Sequence, residues 1–105
     1  MPHELSIVIV SYNCAEHLLK CLQSIHRQVT DFSYEIIIVD NSSTDHSEVA
    51  VKTDFPKVNW MSSGYNAGFA RANNTGIRAS TGRLILILNP DTEMPWFSAK
   101  VCILL

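Results

Sequence analysis

The chain places polar side chains directly after each of its apolar runs, at positions 11–13, 40–45, 62–66 and 89–92. Asp40 follows four apolar residues, so its carboxylate is expected at the rim of a low-dielectric sheet. There it can accept a hydrogen bond from a nucleobase or a ribose. Alternatively, it only closes the turn that follows, which is a routine role for aspartate. Both interpretations stay open on the residues alone.

Asp91 follows the last apolar run and comes directly after Pro90. The proline ring restricts the backbone just before the carboxylate. Magnesium and manganese prefer oxygen ligands and often take only one or two protein carboxylates. Asp91 is therefore a candidate ligand for a divalent cation, with an ordinary turn residue as the alternative. Asp45 is predicted to cap the helix that follows it, with a functional role as the alternative.

The segment 64–76 is rich in glycine, alanine and asparagine. Small residues of this kind suit a backbone that passes close to a ligand. Arg71 and Arg78 could reach phosphate oxygens, although a solvated helix face is the more common place for an arginine. The spacing is neither the dinucleotide fingerprint nor a P-loop, which argues against dehydrogenases and P-loop nucleotide hydrolases.

These residues need elements to position them, and four apolar runs predict strands at 5–10, 34–39, 58–61 and 84–88. Apart from the weaker third run, they are rich in Ile, Val and Leu without alternation, as expected of strands covered on both faces of a parallel sheet.

Three segments between the runs have helical character. A helix over 14–28 is predicted from apolar residues at helical spacing, with Asn13 and Glu16 as a capping box. A short helix starts near Asp45 and must end at Pro56. A third helix, over 67–79, ends near Gly82 as its C-terminal cap.

The resulting order predicts an α/β fold: an open, mostly parallel sheet with helices on both faces, which binds its ligand beyond the carboxyl ends of the strands. With 105 residues, there is room for one binding domain, at 1–95, followed by the start of another helix or a truncated remnant at 96–105. A net charge of −2 offers no basic stripe, so we expect no nucleic acid as a partner.

Neither a signal sequence nor an apolar run of the roughly 20 residues that span a bilayer is visible. We therefore expect a cytoplasmic protein, which could act at the inner face of the membrane. The three cysteines, Cys14, Cys21 and Cys102, have no paired spacing and are expected to be free thiols.

Four blocks, 7–13, 35–45, 66–77 and 86–92, resemble family 2 glycosyltransferases of the GT-A fold in order and spacing. The resemblance extends over nearly all of 5–93. The Gly-Phe-Ala sequence in the third block and the Asn-Pro-Asp-Thr sequence in the fourth are most similar to the bacterial rhamnosyltransferase-like branch, which builds cell-surface polysaccharides.

This resemblance implies a site for a nucleoside diphosphate sugar, with UDP or dTDP as the nucleotide. Ser11 and Tyr12 would line the base site, and Asp40 would accept a hydrogen bond from the imide of uracil or thymine. Asn66 and Arg71 fall in the block that packs around the nucleotide.

The resemblance also implies a metal cofactor and a reaction. Asp91 matches the last aspartate of the Asp-x-Asp motif and would bind Mn or Mg, while the first position of that motif is Asn89. The sugar would pass, with inversion, to an acceptor glycan or a lipid-linked saccharide. The catalytic residue is unknown, because family members carry their base in an acceptor-binding half beyond this sequence. Glu93 is a weak substitute, so we expect this chain alone not to transfer sugar.

Three alternatives share the architecture. A non-catalytic nucleotide-binding or regulatory module stays open. A receiver-type signalling domain needs an acidic pair after its first strand, where this chain has Ser11, Tyr12 and Asn13. Nucleotide-sugar pyrophosphorylases carry a glycine-rich, arginine-containing loop at that place, and it is absent here.

Overall fold

The structure, a computed structural model, describes residues 3–28, 33–64 and 68–88. In these residues strands and helices alternate in the predicted order. The elements are β1 (His3–Ser11), α1 (Ala15–Gln28), β2 (Tyr34–Asp40), α2 (Ser47–Asp54), β3 (Asn59–Ser62), α3 (Phe69–Ala79) and β4 (Gly82–Leu88). The predicted open parallel α/β sheet is confirmed.

The four strands form one parallel sheet in the order β3-β2-β1-β4. The chain leaves β1 toward β2 and β3 on one side, and then returns to add β4 on the other side of β1. The strand order therefore reverses next to β1, where open α/β sheets bind their ligands. All four carboxyl ends meet at one edge, here called the carboxyl edge, and the opposite end is the amino edge.

One face of the sheet is covered by α1 and α2. Alternate residues of β1 point to this face and are fully buried against the apolar stripe of α1. The helix residues recur at helical spacing, which is why one side of α1 is apolar. The buried residues are Leu5, Ile7 and Ile9 from the strand and Leu18, Leu22 and Ile25 from the helix.

The other face is covered by α3, which contacts β1 and β2. Ala72 of α3 packs with Val10 and Val39 of these strands. A Cβ atom added to Gly76 would lie 2.4 Å from Cγ1 of Val8, so glycine allows the helix to approach the sheet this closely. At Gly76, then, the small residue serves packing between helix and sheet.

The prediction that Gly82 caps α3 is wrong. The C-cap is Ser80, whose backbone N–H bonds to the carbonyl of Ile77 at 3.1 Å. Gly82 instead begins β4, and an added Cβ atom would lie 2.6 Å from the backbone nitrogen of Ser6. Glycine is required there because two strands start in close contact.

The predicted capping box at Asn13 is also wrong. Asn13 has a φ of 48°, and its side-chain oxygen accepts a hydrogen bond from the backbone N–H of Thr44 at 2.7 Å. The first residue of α1, Ala15, donates its N–H to Asp45 at 3.2 Å. The helix is therefore capped from a loop thirty residues further along the chain.

Cys14 and Cys21 are thiols and not disulfide partners, as predicted. None of the helices in the described ranges is long and apolar enough to cross a membrane. The predicted site residues Asn66 and Asp91, together with Cys102 and the segment 96–105, lie outside the described residues.

Candidate functional site

Three of the predicted site residues come together at the carboxyl edge. Ser11 and Asp40 are direct partners in the register of β1 and β2 and are 0% and 5% exposed. Tyr12 is the next residue along from Ser11, and 52% of its surface is exposed. A buried carboxylate and an exposed aromatic ring thus lie within one residue of each other at the point where the strand order reverses.

The carboxylate of Asp40 is held by its own loop. One of its oxygens accepts the backbone N–H of Ser43 at 2.9 Å, and the other accepts the Ser43 hydroxyl. The turn-closing role considered for Asp40 is therefore observed. A carboxylate offers about four acceptor positions, so it retains capacity for a ligand beyond these two bonds.

The loop after β1 is bonded to the loop after β2. The N–H of Asn13 donates to the Ser43 hydroxyl at 2.8 Å, and the Asn13 side chain accepts from Thr44. Both loops contain a residue with positive φ, Asn13 at 48° and Ser42 at 67°. Asparagine adopts this conformation more readily than most residues, whereas serine pays a steric cost.

Asp45 connects the start of α1 to the start of α2. One oxygen accepts from Ala15 N, and the other accepts from the N–H and the hydroxyl of Ser47 at 3.1 and 2.5 Å. Partial burial alone would raise the pKa of this carboxyl, but the bonds from Ser47 and Ala15 and the nearby His46 hold it below its usual value. The N-cap of α2 is His46, so the prediction that Asp45 occupies this position is wrong by one residue, although Asp45 accepts the N–H of the first helical residue, Ser47. The bond from Ala15 at the start of α1 was not indicated by the sequence.

Asn41 and Ser63 form hydrogen bonds around the end of β2, and the sequence analysis did not single them out. Asn41 is 4% exposed and donates to the carbonyl of Gly68 at the start of α3, at 3.4 Å. The hydroxyl of Ser63 donates to the carbonyl of Asp40 at 3.0 Å. The only sequence signal was their position directly after two strands, since their contacts depend on the register of β2 and β3.

Arg71 lies in the first turn of α3, whose N-terminus is at the carboxyl edge, and its side chain is exposed. It forms no ion pair with another described residue. A cation in this turn is opposed by the helix dipole, so helix stability does not explain it. Arg78 lies in the last turn, about 10 Å further along the helix at 1.5 Å per residue. This distance argues against a role for Arg78 at the carboxyl edge.

Among the described residues there is no group of three or more His, Cys, Asp or Glu side chains that could hold a metal ion. Asp40 and Asp45 are both engaged by N–H and O–H donors. A cation at this edge would therefore need further ligands besides these two carboxylates, such as the bound molecule itself or Asp91.

Comparison with known proteins places this arrangement in a family. A sequence profile described as Glycosyl transferase family 2 matches residues 6–95. The chain is 34% identical over 98 residues to the low-salt glycan biosynthesis hexosyltransferase Agl10 of Haloferax volcanii, covering 90% of this chain and 30% of that protein. It is 32% identical over 97 residues to the UDP-Glc:alpha-D-GlcNAc-diphosphoundecaprenol beta-1,3-glucosyltransferase WfaP of Escherichia coli, covering 91% and 38%.

Solved structures share the fold. The mannosyltransferase PcManGT of Pyrobaculum calidifontis, in complex with GDP-Man and Mn2+, has a TM-score of 0.78 and 26% identity, over 90% of this chain and 29% of that one. TarS of S. aureus in complex with UDP has a TM-score of 0.73 at 24% identity, over 84% and 27%, a likeness in fold alone. The chain thus spans well under half the length of the proteins it matches.

Proposed function

The chain belongs to glycosyl transferase family 2, and on that premise we propose that its carboxyl edge binds the nucleotide of a nucleoside diphosphate sugar. The observation that carries the proposal is the pair formed by Asp40 and Ser11, buried side by side at the carboxyl edge, with the exposed Tyr12 directly after Ser11 in the chain. All four strands of the described sheet end at this edge, and ligands of such sheets bind there.

The base is a pyrimidine, uracil or thymine, in this proposal. An ionised carboxylate only accepts hydrogen bonds, so Asp40 selects a base edge that donates one, such as the imide N–H. The exposed ring of Tyr12 stacks on the base, and buried Ser11 closes the wall beside it. Guanine also carries a donor at the matching position, and a structural neighbour binds GDP-Man, so GDP is the necessary comparison.

The phosphates lie toward the start of α3. Arg71 is an exposed cation in the first turn of that helix, and we assign it, with Asn66, to the nucleotide. The helix N-terminus adds a partial positive charge on the same side. The neighbour solved with GDP-Man supports a nucleotide sugar as the ligand of this fold.

A divalent cation, Mn or Mg, is proposed to accompany the diphosphate, held on the protein side chiefly by Asp91. The cation would offset the repulsion between the phosphates and nearby carboxylates. The neighbour solved with Mn2+ supports a metal in this family. Chelator should lower UDP affinity in the wild type and make little difference in Asp91→Asn; a wild type indifferent to chelator would remove the metal from the account.

The whole protein is proposed to transfer the sugar, with inversion, to a glycan or lipid-linked acceptor during the synthesis of a cell-surface polysaccharide. The names of the relatives, among them a hexosyltransferase of glycan biosynthesis and a glucosyltransferase of a diphosphoundecaprenol-linked sugar, support this class of reaction. A rhamnosyl donor is the finer proposal, carried by the Gly-Phe-Ala and Asn-Pro-Asp-Thr sequences. We propose that the reaction takes place at the cytoplasmic side of the membrane.

Calorimetric titration with UDP, dTDP and GDP, each with and without manganese, tests binding, base and metal together. We expect UDP and dTDP to bind more tightly than GDP, and manganese to strengthen both. Glu35→Gln is a matched control, because it changes a carboxylate at the amino edge. Absence of binding by all three nucleotides would contradict the proposal. Nucleotide binding without turnover of any donor sugar by the full-length protein would instead favour a non-catalytic module.

A further inference from the structure

The side chain of Ser43 lies between the two loops of the carboxyl edge, and we propose that Ser43 is a positioning residue that orients Asp40 toward the nucleobase. The inference rests on the proposed function, because it says how the proposed base acceptor is aimed. Ser43 itself does not touch the base in this account; it acts through the carboxylate to which it donates twice.

The direction of the Ser43 hydroxyl is fixed by its neighbours. A serine hydroxyl has a single hydrogen and can accept as well as donate. The N–H of Asn13 donates to the oxygen at 2.8 Å, so that contact uses an acceptor position. The hydroxyl hydrogen then goes to Asp40, whose carboxylate can only accept. The order of donation is therefore Asn13 to Ser43 to Asp40.

Two donors from one residue fix the plane of the carboxylate. The backbone N–H of Ser43 meets one oxygen of Asp40 and the hydroxyl meets the other, so rotation of the carboxylate would break one of the two bonds. The acceptor positions that remain face away from Ser43. A base edge that donates to Asp40 consequently meets an acceptor that is already oriented, and binding does not have to order it.

The same hydroxyl couples the acceptor to the aromatic residue of the site. Asn13 directly follows Tyr12, and its N–H bonds to Ser43. Thr44 closes the contact from the other side by donating to the side chain of Asn13 at 2.7 Å. The loop that carries Tyr12 and the loop that carries Asp40 are thus one hydrogen-bonded unit, and Ser43 is the residue bonded to both.

A double-mutant cycle separates positioning from a general structural role. We would measure UDP affinity for the chain with Ser43→Ala, Asp40→Ala and both changes together. Ser43→Ala alone should weaken UDP binding about tenfold, the usual scale for a hydrogen bond to a charged group. In the Asp40→Ala background it should have no further effect, because the group it orients is gone.

Three further variants complete the experiment. Ser43→Thr keeps the hydroxyl and should restore affinity to within about twofold of wild type. Ser43→Cys keeps only a weak donor, should bind more weakly than wild type, and carries the test if Ser43→Ala does not fold. Ser80→Ala removes a part-buried hydroxyl at the far end of α3 and should leave affinity unchanged. Melting temperatures of all variants report on folding separately.

Each outcome decides between the inference and the proposed function. An equal loss of affinity from Ser43→Ala in the wild-type and Asp40→Ala backgrounds would overturn the positioning role. So would wild-type affinity in Ser43→Ala while Asp40→Ala binds weakly, but that result would leave the proposed function standing. A folded wild type that binds no nucleoside diphosphate would overturn both.

Discussion

Two carboxylates on β2, at opposite edges of the sheet, are bonded in different ways. Glu35 at the amino edge accepts three hydrogen bonds on one oxygen: from the Ser6 hydroxyl at 2.6 Å, and from the N–H and hydroxyl of Thr81 at 2.7 and 2.9 Å. Those donors are 29 and 46 residues away in sequence. Asp40 at the carboxyl edge is bonded by Ser43, only three residues further along its own loop.

The two bonding patterns suit different roles: Glu35 contributes to stability, and Asp40 is suited to binding. The hydrogen bonds of Glu35 connect β2 to β1 and to the loop before β4. Removing this side chain therefore removes contacts that hold these elements together. Bonds within a single loop fix the side-chain carboxylate of Asp40 without joining it directly to another element. A buried carboxylate at the end of a strand, oriented but not used to connect elements, is available to a ligand. Substitutions at the two edges are therefore expected to have different effects.

The largest effect is expected at Gly82, in the close contact of the amino edge. Gly82→Ala would bring a Cβ atom to within 2.6 Å of Ser6 N and 2.7 Å of Leu5 C, which are backbone atoms and cannot move aside cheaply. We expect the free energy of unfolding to fall by about 3 kcal/mol or more, at the upper end of overpacking costs. Urea denaturation measures this. A change of less than about 0.5 kcal/mol would show that β1 and β4 are not packed this closely.

Glu35→Ala should destabilise the chain by about 2–3 kcal/mol, because the charged acceptor of several hydrogen bonds is lost and their donors are left unpaired. UDP affinity of the folded fraction should not change, since Glu35 lies at the opposite end of the sheet. Denaturation and calorimetry on the same sample give both quantities. Weaker UDP binding without any loss of stability would reverse the roles assigned to the two edges.

Asp45 gives the carboxyl edge a dependence on pH. Its folded-state pKa lies below the ordinary 3.8, so its contribution to stability is present above that value and is lost as pH falls through the folded pKa. Asp45→Asn should therefore be less stable than wild type by a constant amount above about pH 5, and the gap should shrink in more acidic solution. Thermal melts of both proteins from neutral to acidic pH test this. A gap that widened with acid would contradict the direction of the shift.

The smallest effect is expected at Ser42, whose φ of 67° suits glycine better than serine. Ser42→Gly should raise stability by about 0.5–1 kcal/mol, the steric gain less the greater freedom of glycine in the unfolded chain. Asn13→Gly is the matched comparison, because it has a similar φ but loses the bond from Thr44. That variant should be destabilised. Destabilisation in both would mean that the Ser42 side chain contributes more than the relief of strain.

The architecture could be read from the sequence because it depends on patterns within each segment. Continuous apolar runs indicated the buried strands, and the helices over 14–28 and 67–79 began within two residues of Ala15 and Phe69. The ends of predicted parallel strands lie at the same edge of the sheet. Ser11 and Asp40 could therefore be assigned to one edge from the sequence alone.

The errors have a common physical cause. Each error involves a contact between segments far apart in sequence. The three errors are the capping role given to Asn13, the cap given to Gly82 and the missed bond from Ala15 to Asp45. Local patterns carry no information about which loop meets which, and strand register decides it. Ser43 was missed as a partner of Asp40 for a different reason: serine after aspartate is common in turns, and only the geometry shows that it donates twice.

The most direct test of the account is to compare Asp40→Ala with Glu35→Ala in one pair of measurements, UDP titration and urea denaturation. We expect Asp40→Ala to bind UDP more weakly by about 1–3 kcal/mol, the cost of leaving a base donor unpaired, and to lose less stability than Glu35→Ala. Equal affinity of wild type and Asp40→Ala for both UDP and dTDP would contradict it and remove Asp40 from the site.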